Sequence, residues 1–366
     1  MGRESNGPIL VVLGTRPEIV KLALIARILG DDGAVVHTGQ HYDPGLSDSF
    51  FDQFDLPEPK VFLEIGGESR GRQIGLAVTA LDGILEEMQP AAVVVQGDTN
   101  TVLAAALAAN AREVPVVHVE AGLRSNDRRM PEEHNRVVTD HLADLLLAPT
   151  ETSRANLLAE GIPDERIVIT GNTVVEAVRE LMPDADERRA LAASFGVEPG
   201  RFVLSTFHRP ENVDDSDILE TILLQLAALP FPVLIPLHPR AVARVASAGL
   251  GNLLDEIKVV EPIGYREFLG LGAASAFLVS DSGGVQEEVS VYKRPVLVVR
   301  RSTERPEVIG TFAERVEPGP DITRIASEWA ADLDAVHARL AETPSPYGDG
   351  SASQRSVDAI RRLIDA

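Results

Sequence analysis

The 366-residue chain contains no cysteine. Disulfide bonds, thiolate nucleophiles and cysteine-ligated zinc are therefore excluded, and the composition fits a reducing compartment. The zinc-protease pattern H-E-x-x-H and the dinucleotide fingerprint G-x-G-x-x-G do not occur either. Because the histidines also show no familiar metal-ligand spacing, we expect no metal site.

Basic residues and long hydrophobic runs are scarce as well. Acidic residues outnumber basic ones by 56 to 34, which gives a formal net charge of -22 and disfavours nucleic acid as a partner. The first residues lack the apolar core of a signal peptide. The longest apolar helix candidate, 101–111, is too short to span a bilayer. We therefore expect a cytoplasmic protein with no membrane partner.

The alternation of apolar runs with helical patterns predicts the fold class. A first series of strand-sized runs extends from 9–13 to 167–170, a second extends from 202–205 to 295–299, and the rhythm weakens between 173 and 200. This pattern predicts an α/β protein with two Rossmann-like, doubly wound parallel-sheet domains facing a central cleft, as in GT-B folds. We expect residues 1–172, rejoined by the C-terminal helix 353–366, to form one domain and residues 173–352 the other.

Carboxylates follow two predicted strands of the first half. Glu120 follows the run 116–119, and Asp98 follows the run 91–96. If these strands are neighbours, both acids point into one crevice at the carboxyl edge of the sheet, where ligands bind and where paired carboxylates suit proton transfer. Two simpler interpretations stay open, since Asp98 could cap a helix and the charged loop 124–129 could form solvated ion pairs.

A cationic helix start follows the first predicted strand. Arg16 lies at the expected N-terminus of a helix, and Lys21 lies about one turn further along it. The backbone N–H groups of such a terminus favour anions, so a phosphate contact is one interpretation. The other is a capped helix that carries a surface arginine.

The second half has its own strand-end motifs. His208 and Arg209 follow its first strand, and His238 follows the next one. Each histidine could assist a phosphate leaving group or could be a loop residue without a role. The segment 282–284, Ser-Gly-Gly, joins a strand to a helix and suits a diphosphate, while Glu288 could bind a ribose diol. The alternative for this segment is a tight strand-to-helix turn.

These motifs together resemble the non-hydrolysing UDP-N-acetylglucosamine 2-epimerases, and the resemblance runs almost from end to end. It rests on GTRPE (14–18), TGQH (38–41), QGDT (96–99), HVEAGLR (118–124), PEEHNR (131–136), PTETSRANLL (149–158), TGNTV (170–174), HRPEN (208–212), DSGGVQEE (281–288), TERPE (303–307) and PYGDG (346–350). The resemblance implies two Rossmann-like domains, a homodimer, a UDP-sugar substrate and interconversion of UDP-GlcNAc and UDP-ManNAc without a cofactor.

The resemblance also implies roles for individual residues, carried over motif by motif. The implied catalytic residues are Asp98, Glu120, Glu132 and His208. The implied nucleotide contacts are Arg16, Lys21, His238, Ser282, Gly283, Gly284 and Glu288. The implied regulatory UDP-GlcNAc contacts are Gln40, Arg72, Gln73 and Arg209, whereas Asp43 departs from the Gln or Glu-type partner that is usual there.

The chemistry of the sugar makes this division of residues reasonable. A carboxylate with a pKa of about 4 cannot remove a C2 proton that has no neighbouring carbonyl. If the bond from C1 to UDP breaks first, C1 becomes oxocarbenium-like and the C2 proton becomes acidic. The site then needs cations and N–H donors at the diphosphate and carboxylates at C1 and C2.

Other functions fit the same motifs. A GT-B glycosyltransferase, a hydrolysing epimerase that releases UDP and an epimerase for a related UDP-sugar remain alternatives. A nucleotide-sugar sensor without turnover is a further one, although it would not need three carboxylates. Supply of envelope polysaccharide precursors is the default role, and a secondary-metabolite pathway is the alternative.

Overall fold

The computed structural model describes residues 7–40, 51–237 and 239–365. The chain divides into two compact units, one made of Met1–Ala177 with Tyr347–Ala366 and the other of Val178–Pro346. These limits lie a few residues from the expected boundaries at 172 and 353. Two parallel sheets flanked by helices confirm the predicted pair of Rossmann-like domains.

The strands of the described residues form one parallel sheet in each unit. The N-terminal sheet has the order β3-β2-β1-β4-β5-β6-β7, and the C-terminal sheet has the order β10-β9-β8-β11-β12-β13. Both place their first strand beside their fourth, which creates the switch point of a doubly wound sheet. The strands are β1 Ile9–Leu13, β2 Gly33–His37, β3 Val61–Phe62, β4 Ala92–Gln96, β5 Val116–Val119, β6 Leu145–Ala148, β7 Ile167–Ile169, β8 Val203–Thr206, β9 Val233–Pro236, β10 Lys258–Val260, β11 Phe277–Ser280, β12 Val296–Val299 and β13 Ala313–Val316.

Helices connect successive strands, as the right-handed crossovers of parallel sheets require. In chain order they are α1 Arg16–Leu29, α2 Arg70–Met88, α3 Asn100–Ala111, α4 Pro131–Leu142, α5 Glu151–Ala159, α6 Val174–Leu181, α7 Ala185–Ser194, α8 Pro210–Val213, α9 Ser216–Ala227, α10 Pro239–Ser247, α11 Tyr265–Ala274, α12 Gly283–Tyr292, α13 Asp321–Ala331, α14 Leu333–Glu342 and α15 Ala352–Ile364. The last helix packs against α1 and so belongs to the N-terminal unit. Over the described ranges, none of the helices combines the length and the apolarity that a bilayer crossing demands.

Central strands are apolar on both faces because helices cover both sides of each sheet. All five residues of β1 and of β4 are buried, and so are the four residues of β11 and of β12. Such runs are visible in the sequence, and the structure confirms these strands within about a residue at each end.

Two edge strands have no such signal. β3 is only two residues long and pairs with the end of β2, while β13 contains the exposed Glu314 and Arg315. The apolar run at β3 is only three residues long (61–63) and β13 has none, so the sequence did not predict them. Pairing with the open edge of an existing strand is what makes them extended.

Candidate active site

The N-terminal unit brings two predicted catalytic acids to neighbouring strand ends. β4 and β5 pair in parallel, with Gln96 opposite Val119. Glu120 follows Val119 directly, and Asp98 follows Gln96 after one glycine. Paired strands lie about 4.8 Å apart, so the two turns that carry the acids are adjacent at the carboxyl edge. The prediction that these strands are neighbours is confirmed.

Glu120 occupies a strained backbone position and is buried. Its φ is 65°, in the left-handed region that residues with a side chain rarely adopt. Lys21 Nζ donates to Glu120 Oε2, and Asn172 Nδ2 donates to the same oxygen from 3.1 Å. The structure therefore places Lys21, expected at the nucleotide, against a predicted catalytic carboxylate.

Asp98 is half-buried and paired with a cation. Arg136 on α4 donates to Asp98 Oδ2 through Nη2 and to Glu133 through Nη1. Thr99 is the residue whose side chain caps α3, since it accepts from Val102 N at 3.3 Å. The interpretation of Asp98 as a helix cap is therefore wrong, and its carboxylate faces Arg136 instead.

Glu133, which the sequence analysis did not single out, shapes the loop before α4. Its carboxylate accepts from the backbone N–H groups of Ser125 and Asn126 at 3.0 and 2.8 Å and from the Ser125 hydroxyl at 2.9 Å. Together with the contact to Arg136, these bonds fix the start of α4, where Glu132 lies. Glu133 therefore fixes the part of the loop at Ser125 and Asn126, whereas Arg129 and Asp127 form an exposed ion pair, as the simpler interpretation of this loop expected.

Glu132 and Arg16 are available to a ligand. Glu132 is half-buried in the first turn of α4, and Arg16 is exposed at the start of α1. Within the described parts of the chain, neither side chain makes an ion pair or a hydrogen bond. An acid and a cation without protein partners stand in contrast to the paired Asp98 and Glu120.

The predicted regulatory glutamines are held together inside the N-terminal unit. Gln40 Oε1 accepts from the N–H and hydroxyl of Thr101 at 2.8 and 2.9 Å, and Gln73 Nε2 donates to Gln40 O at 3.4 Å. Asn100 donates to Gln73 Oε1 at 2.6 Å. Arg72 is exposed on α2 and pairs with Glu68 at 2.9 Å, so this cation is near Gln73 in sequence but not part of its buried contacts.

In the C-terminal unit, a buried carboxylate holds His208. Asp281, at the end of β11, lies 3.1 Å from His208 Nδ1 through Oδ1 and also accepts the backbone N–H groups of His208 and Arg209. Burial alone would raise the pKa of Asp281, but His208 and the other donors hold that pKa below its ordinary value. The His208 side chain is 60% exposed, so its ring is fixed through Nδ1 and accessible from solvent.

Arg305 and Glu304 pack closely against Gly283 at the start of α12, where a larger residue would not fit without a shift. A Cβ on Gly283 would lie 2.9 Å from Arg305 Nη1 and 3.1 Å from Glu304 Oε1. Ser282 is the N-cap residue of α12 and makes no side-chain capping bond, which leaves N–H groups of this terminus for an anion. Gly284 follows in the first turn, where an added Cβ would make only ordinary contacts.

Glu288 and Arg209 are also engaged within the C-terminal unit. Tyr265 Oη donates to Glu288 Oε1 at 3.0 Å, and burial together with Glu288 raises the pKa of Tyr265 well above its ordinary value. Arg209 Nε donates to the Asp281 carbonyl at 3.0 Å. His238 lies outside the described residues.

A comparison with protein families identifies the family of this chain. A family model described as UDP-N-acetylglucosamine 2-epimerase matches residues 30–361. The chain belongs to this family. The resemblance expected from the sequence motifs is confirmed, and so is the expectation of an epimerase, an isomerase by reaction class.

Individual members of the epimerase family match over nearly the full length. The UDP-N-acetylglucosamine 2-epimerase of Methanocaldococcus jannaschii is 40% identical over 95% of this chain and 97% of its own. A crystal structure of that archaeal enzyme with UDP-GlcNAc and UDP has a TM-score of 0.85 and covers 98% of this chain and all of the other. The UDP-2,3-diacetamido-2,3-dideoxy-D-glucuronate 2-epimerase of Pseudomonas aeruginosa is 34% identical over 97% of this chain and 99% of its own.

Sequence reasoning missed a buried acid in the GTRPE motif that carries the family resemblance. Glu18 accepts from Gly14 N at 3.1 Å, from the Thr15 hydroxyl at 2.7 Å and from the Thr99 hydroxyl at 3.0 Å. It therefore ties the end of β1 to the turn after β4 that contains Asp98. Burial raises the pKa of Glu18 to about 7 despite these donors. A glutamate two residues after Arg16 at a helix start is a weak signal, because acids are common in first turns.

No group of three or more histidine, aspartate or glutamate side chains that could hold a metal ion occurs among the described residues.

Proposed function

We propose that this chain interconverts UDP-GlcNAc and UDP-ManNAc as a non-hydrolysing 2-epimerase. The observation that supports this most directly is the placement of Asp98 and Glu120 at adjacent strand ends, each paired with a buried cation. Glu132 adds a third acid, which has no partner within the described chain. Three acids around one sheet edge suit a reaction that must remove a proton and return it on the opposite face.

The proposed reaction has two balanced steps. In the first, the bond between C1 and the UDP oxygen breaks with its electron pair leaving on UDP, and a carboxylate removes the C2 proton to give 2-acetamidoglucal. In the second, an acid delivers a proton to the other face of C2 while UDP re-adds to C1. Asp98 and Glu120 stay close to cations, so Lys21 and Arg136 offset the charge of acids that alternate between protonated and ionised forms.

The proposed diphosphate contacts come from residues at helix starts. Ser282, Gly283 and Gly284 offer the N–H groups of α12, and Arg16 offers an exposed guanidinium at the start of α1. His208, held by Asp281, is proposed to assist departure and return of the diphosphate. Glu288 is proposed to bind the ribose, and Lys21 and His238 remain predicted nucleotide contacts.

The identity of the sugar is a separate question, because one family member acts on a different UDP-sugar. NMR spectroscopy of the purified protein with UDP-GlcNAc or with UDP-2,3-diacetamido-2,3-dideoxy-D-glucuronate decides it. We expect UDP-ManNAc from UDP-GlcNAc alone, with no acceptor and no net loss of UDP-sugar. Free UDP accumulating in step with free ManNAc would instead establish a hydrolysing enzyme, and turnover of only the oxidised sugar would assign the second substrate.

Regulation by a second UDP-GlcNAc remains a prediction for Gln40, Arg72, Gln73 and Arg209. The buried contacts of Gln40 and Gln73 support a rigid pocket wall rather than mobile ligand contacts. Initial rates against UDP-ManNAc concentration, with and without added UDP-GlcNAc, test the proposal. A cytoplasmic location likewise remains a prediction.

We also propose a homodimer, supported by exposed aliphatic side chains on successive helices. Leu76 on α2, Leu107 on α3 and Val138 on α4 are 44%, 37% and 42% exposed, and these helices pack one against the next. Leu107→Glu should shift light-scattering mass from dimer to monomer. Leu224→Glu, at an equally exposed leucine of the other unit, should not. A monomeric wild-type protein would contradict the proposal.

A further inference from the structure

A fully buried aspartate lies beneath the catalytic edge of the N-terminal unit. Asp140, near the end of α4, has no exposed surface. Its Oδ1 lies 2.6 Å from His118 Nδ1, and its Oδ2 accepts from Gly122 N at 3.2 Å and from Arg124 Nη1 at 2.8 Å. Burial alone would raise the pKa of Asp140, but His118 and Arg124 outweigh that effect and hold the pKa below its ordinary value.

His118 connects Asp140 to a second turn. Its Nε2 lies 2.7 Å from the carbonyl oxygen of Gly97, the residue before Asp98. A carbonyl oxygen and an ionised carboxylate can both accept hydrogen bonds but cannot donate them. Both ring nitrogens of His118 therefore donate, one to Asp140 and one to Gly97, and the ring is fixed at both ends.

All three acid-bearing segments converge on this pair. Asp140 bonds directly to Gly122 in the turn after Glu120 and, through His118, to Gly97 in the turn before Asp98. The helix that carries Asp140 begins with the turn that carries Glu132. One buried carboxylate is thus connected to the backbone segments that carry all three proposed catalytic acids.

We propose that Asp140 and His118 form a positioning pair that sets the separation of Asp98, Glu120 and Glu132. Neither residue touches substrate, and neither exchanges a proton with it. The inference rests on the proposed function, because it concerns how these acids are held for the epimerisation. Small displacements of reacting groups matter in such sites, where a misplacement of about 1 Å can lower the rate roughly 10²-fold.

A buried ion pair of this kind could instead serve the fold alone, and the two cases differ in what a variant changes. Removal of one partner leaves the other charge buried, which destabilises any protein. A positioning role additionally lowers kcat in the molecules that do fold, while UDP binding and KM change little. A purely structural role lowers stability and leaves kcat per folded molecule as it was.

The test compares Asp140→Asn and His118→Gln with Asp144→Asn. Asp144 also bonds to β5, through Val116 N at 2.8 Å, but at the end of the strand remote from the acids. For the first two variants we expect kcat roughly 10-fold to 10²-fold below wild type with KM and UDP affinity within about twofold. Asp144→Asn should keep wild-type kcat. Circular dichroism and the concentration of UDP-binding sites give the folded fraction.

The outcomes separate the inference from the proposed function. If wild type does not epimerise, the function fails. If wild type epimerises and both variants fold with wild-type kcat, the positioning role is overturned. Nitrogen-15 NMR of the wild-type protein decides the geometry even if both variants misfold. Two protonated, slowly exchanging ring nitrogens of His118 are expected, and a single protonated nitrogen would overturn the inference.

Discussion

The buried Glu18 should make the N-terminal unit lose stability as pH rises. Its pKa is raised from 4.5 to about 7 by burial, so between these values the folded state holds a proton that the unfolded chain has released. Stability therefore falls with pH across this window and levels off above it. The full shift corresponds to about 3 kcal/mol, at 1.36 kcal/mol for each pKa unit.

Glu18→Gln removes the titrating group and keeps its shape. The amide oxygen can accept from Gly14 N and from the Thr15 hydroxyl, and the amide nitrogen can donate to the Thr99 hydroxyl. Between about pH 5.5 and about pH 8 the wild type loses about 2 kcal/mol of unfolding free energy through Glu18, because most of the window lies between these values. The variant does not, so the difference in unfolding free energy, variant minus wild type, should rise by that amount.

Native-state hydrogen exchange of the β1 amides measures the opening free energy of this unit alone. Glu87→Gln, at an exposed glutamate of α2, is the matched control and should give no such pH-dependent gain. A Glu18→Gln variant whose difference from wild type is the same at both pH values would refute the argument, because Glu18 would then be ionised throughout.

Three further predictions concern the proposed reaction. Asp98→Asn and Glu120→Gln should lower the rate of epimerisation by roughly 10²–10⁴-fold while UDP binding persists in calorimetry; wild-type turnover would remove that residue from the mechanism. Asp281→Asn removes the negative charge beside His208 and turns one of the two oxygens that accept from His208 and Arg209 into an N–H donor. It should lower kcat roughly 10²-fold with UDP affinity retained, and an unchanged kcat would show that His208 needs no such support. Gly283→Ala forces a Cβ to 2.9 Å from Arg305, an overpacking cost of about 1–3 kcal/mol. A shift of the start of α12 that relieves this contact would displace the N–H groups proposed for the diphosphate, so UDP should bind about tenfold more weakly. Unaltered affinity in calorimetry would contradict a diphosphate site at these N–H groups.

The sequence predicted those parts of the fold that depend on local composition. The central strands are continuous runs of valine, isoleucine and leucine because helices cover both faces, and such runs stand out by eye. The strand ends then follow, and with them the positions of Asp98, Glu120 and His208. Edge strands such as β13 escaped prediction because their extended form comes from the neighbouring strand.

The partners of the site residues could not be predicted, because each depends on residues distant in the chain. Asp281 meets His208 across 73 residues, and Lys21 meets Glu120 across 99. Neither the composition of the chain nor the spacing of its residues indicates such contacts. For the same reason the sequence did not reveal the contact of Lys21 with Glu120. It also passed over Glu18, Glu133 and Asp140, whose contacts form only once the sheet places the strand ends side by side.

In the proposed reaction, carboxylates at the edge of the N-terminal sheet remove and return the C2 proton of a UDP-sugar whose diphosphate departs and re-adds. Incubation of the wild-type protein with UDP-GlcNAc in heavy water, followed by NMR at C2, tests it most directly. We expect deuterium at C2 of both UDP-ManNAc and recovered UDP-GlcNAc. Formation of UDP-ManNAc without deuterium at C2 would contradict it.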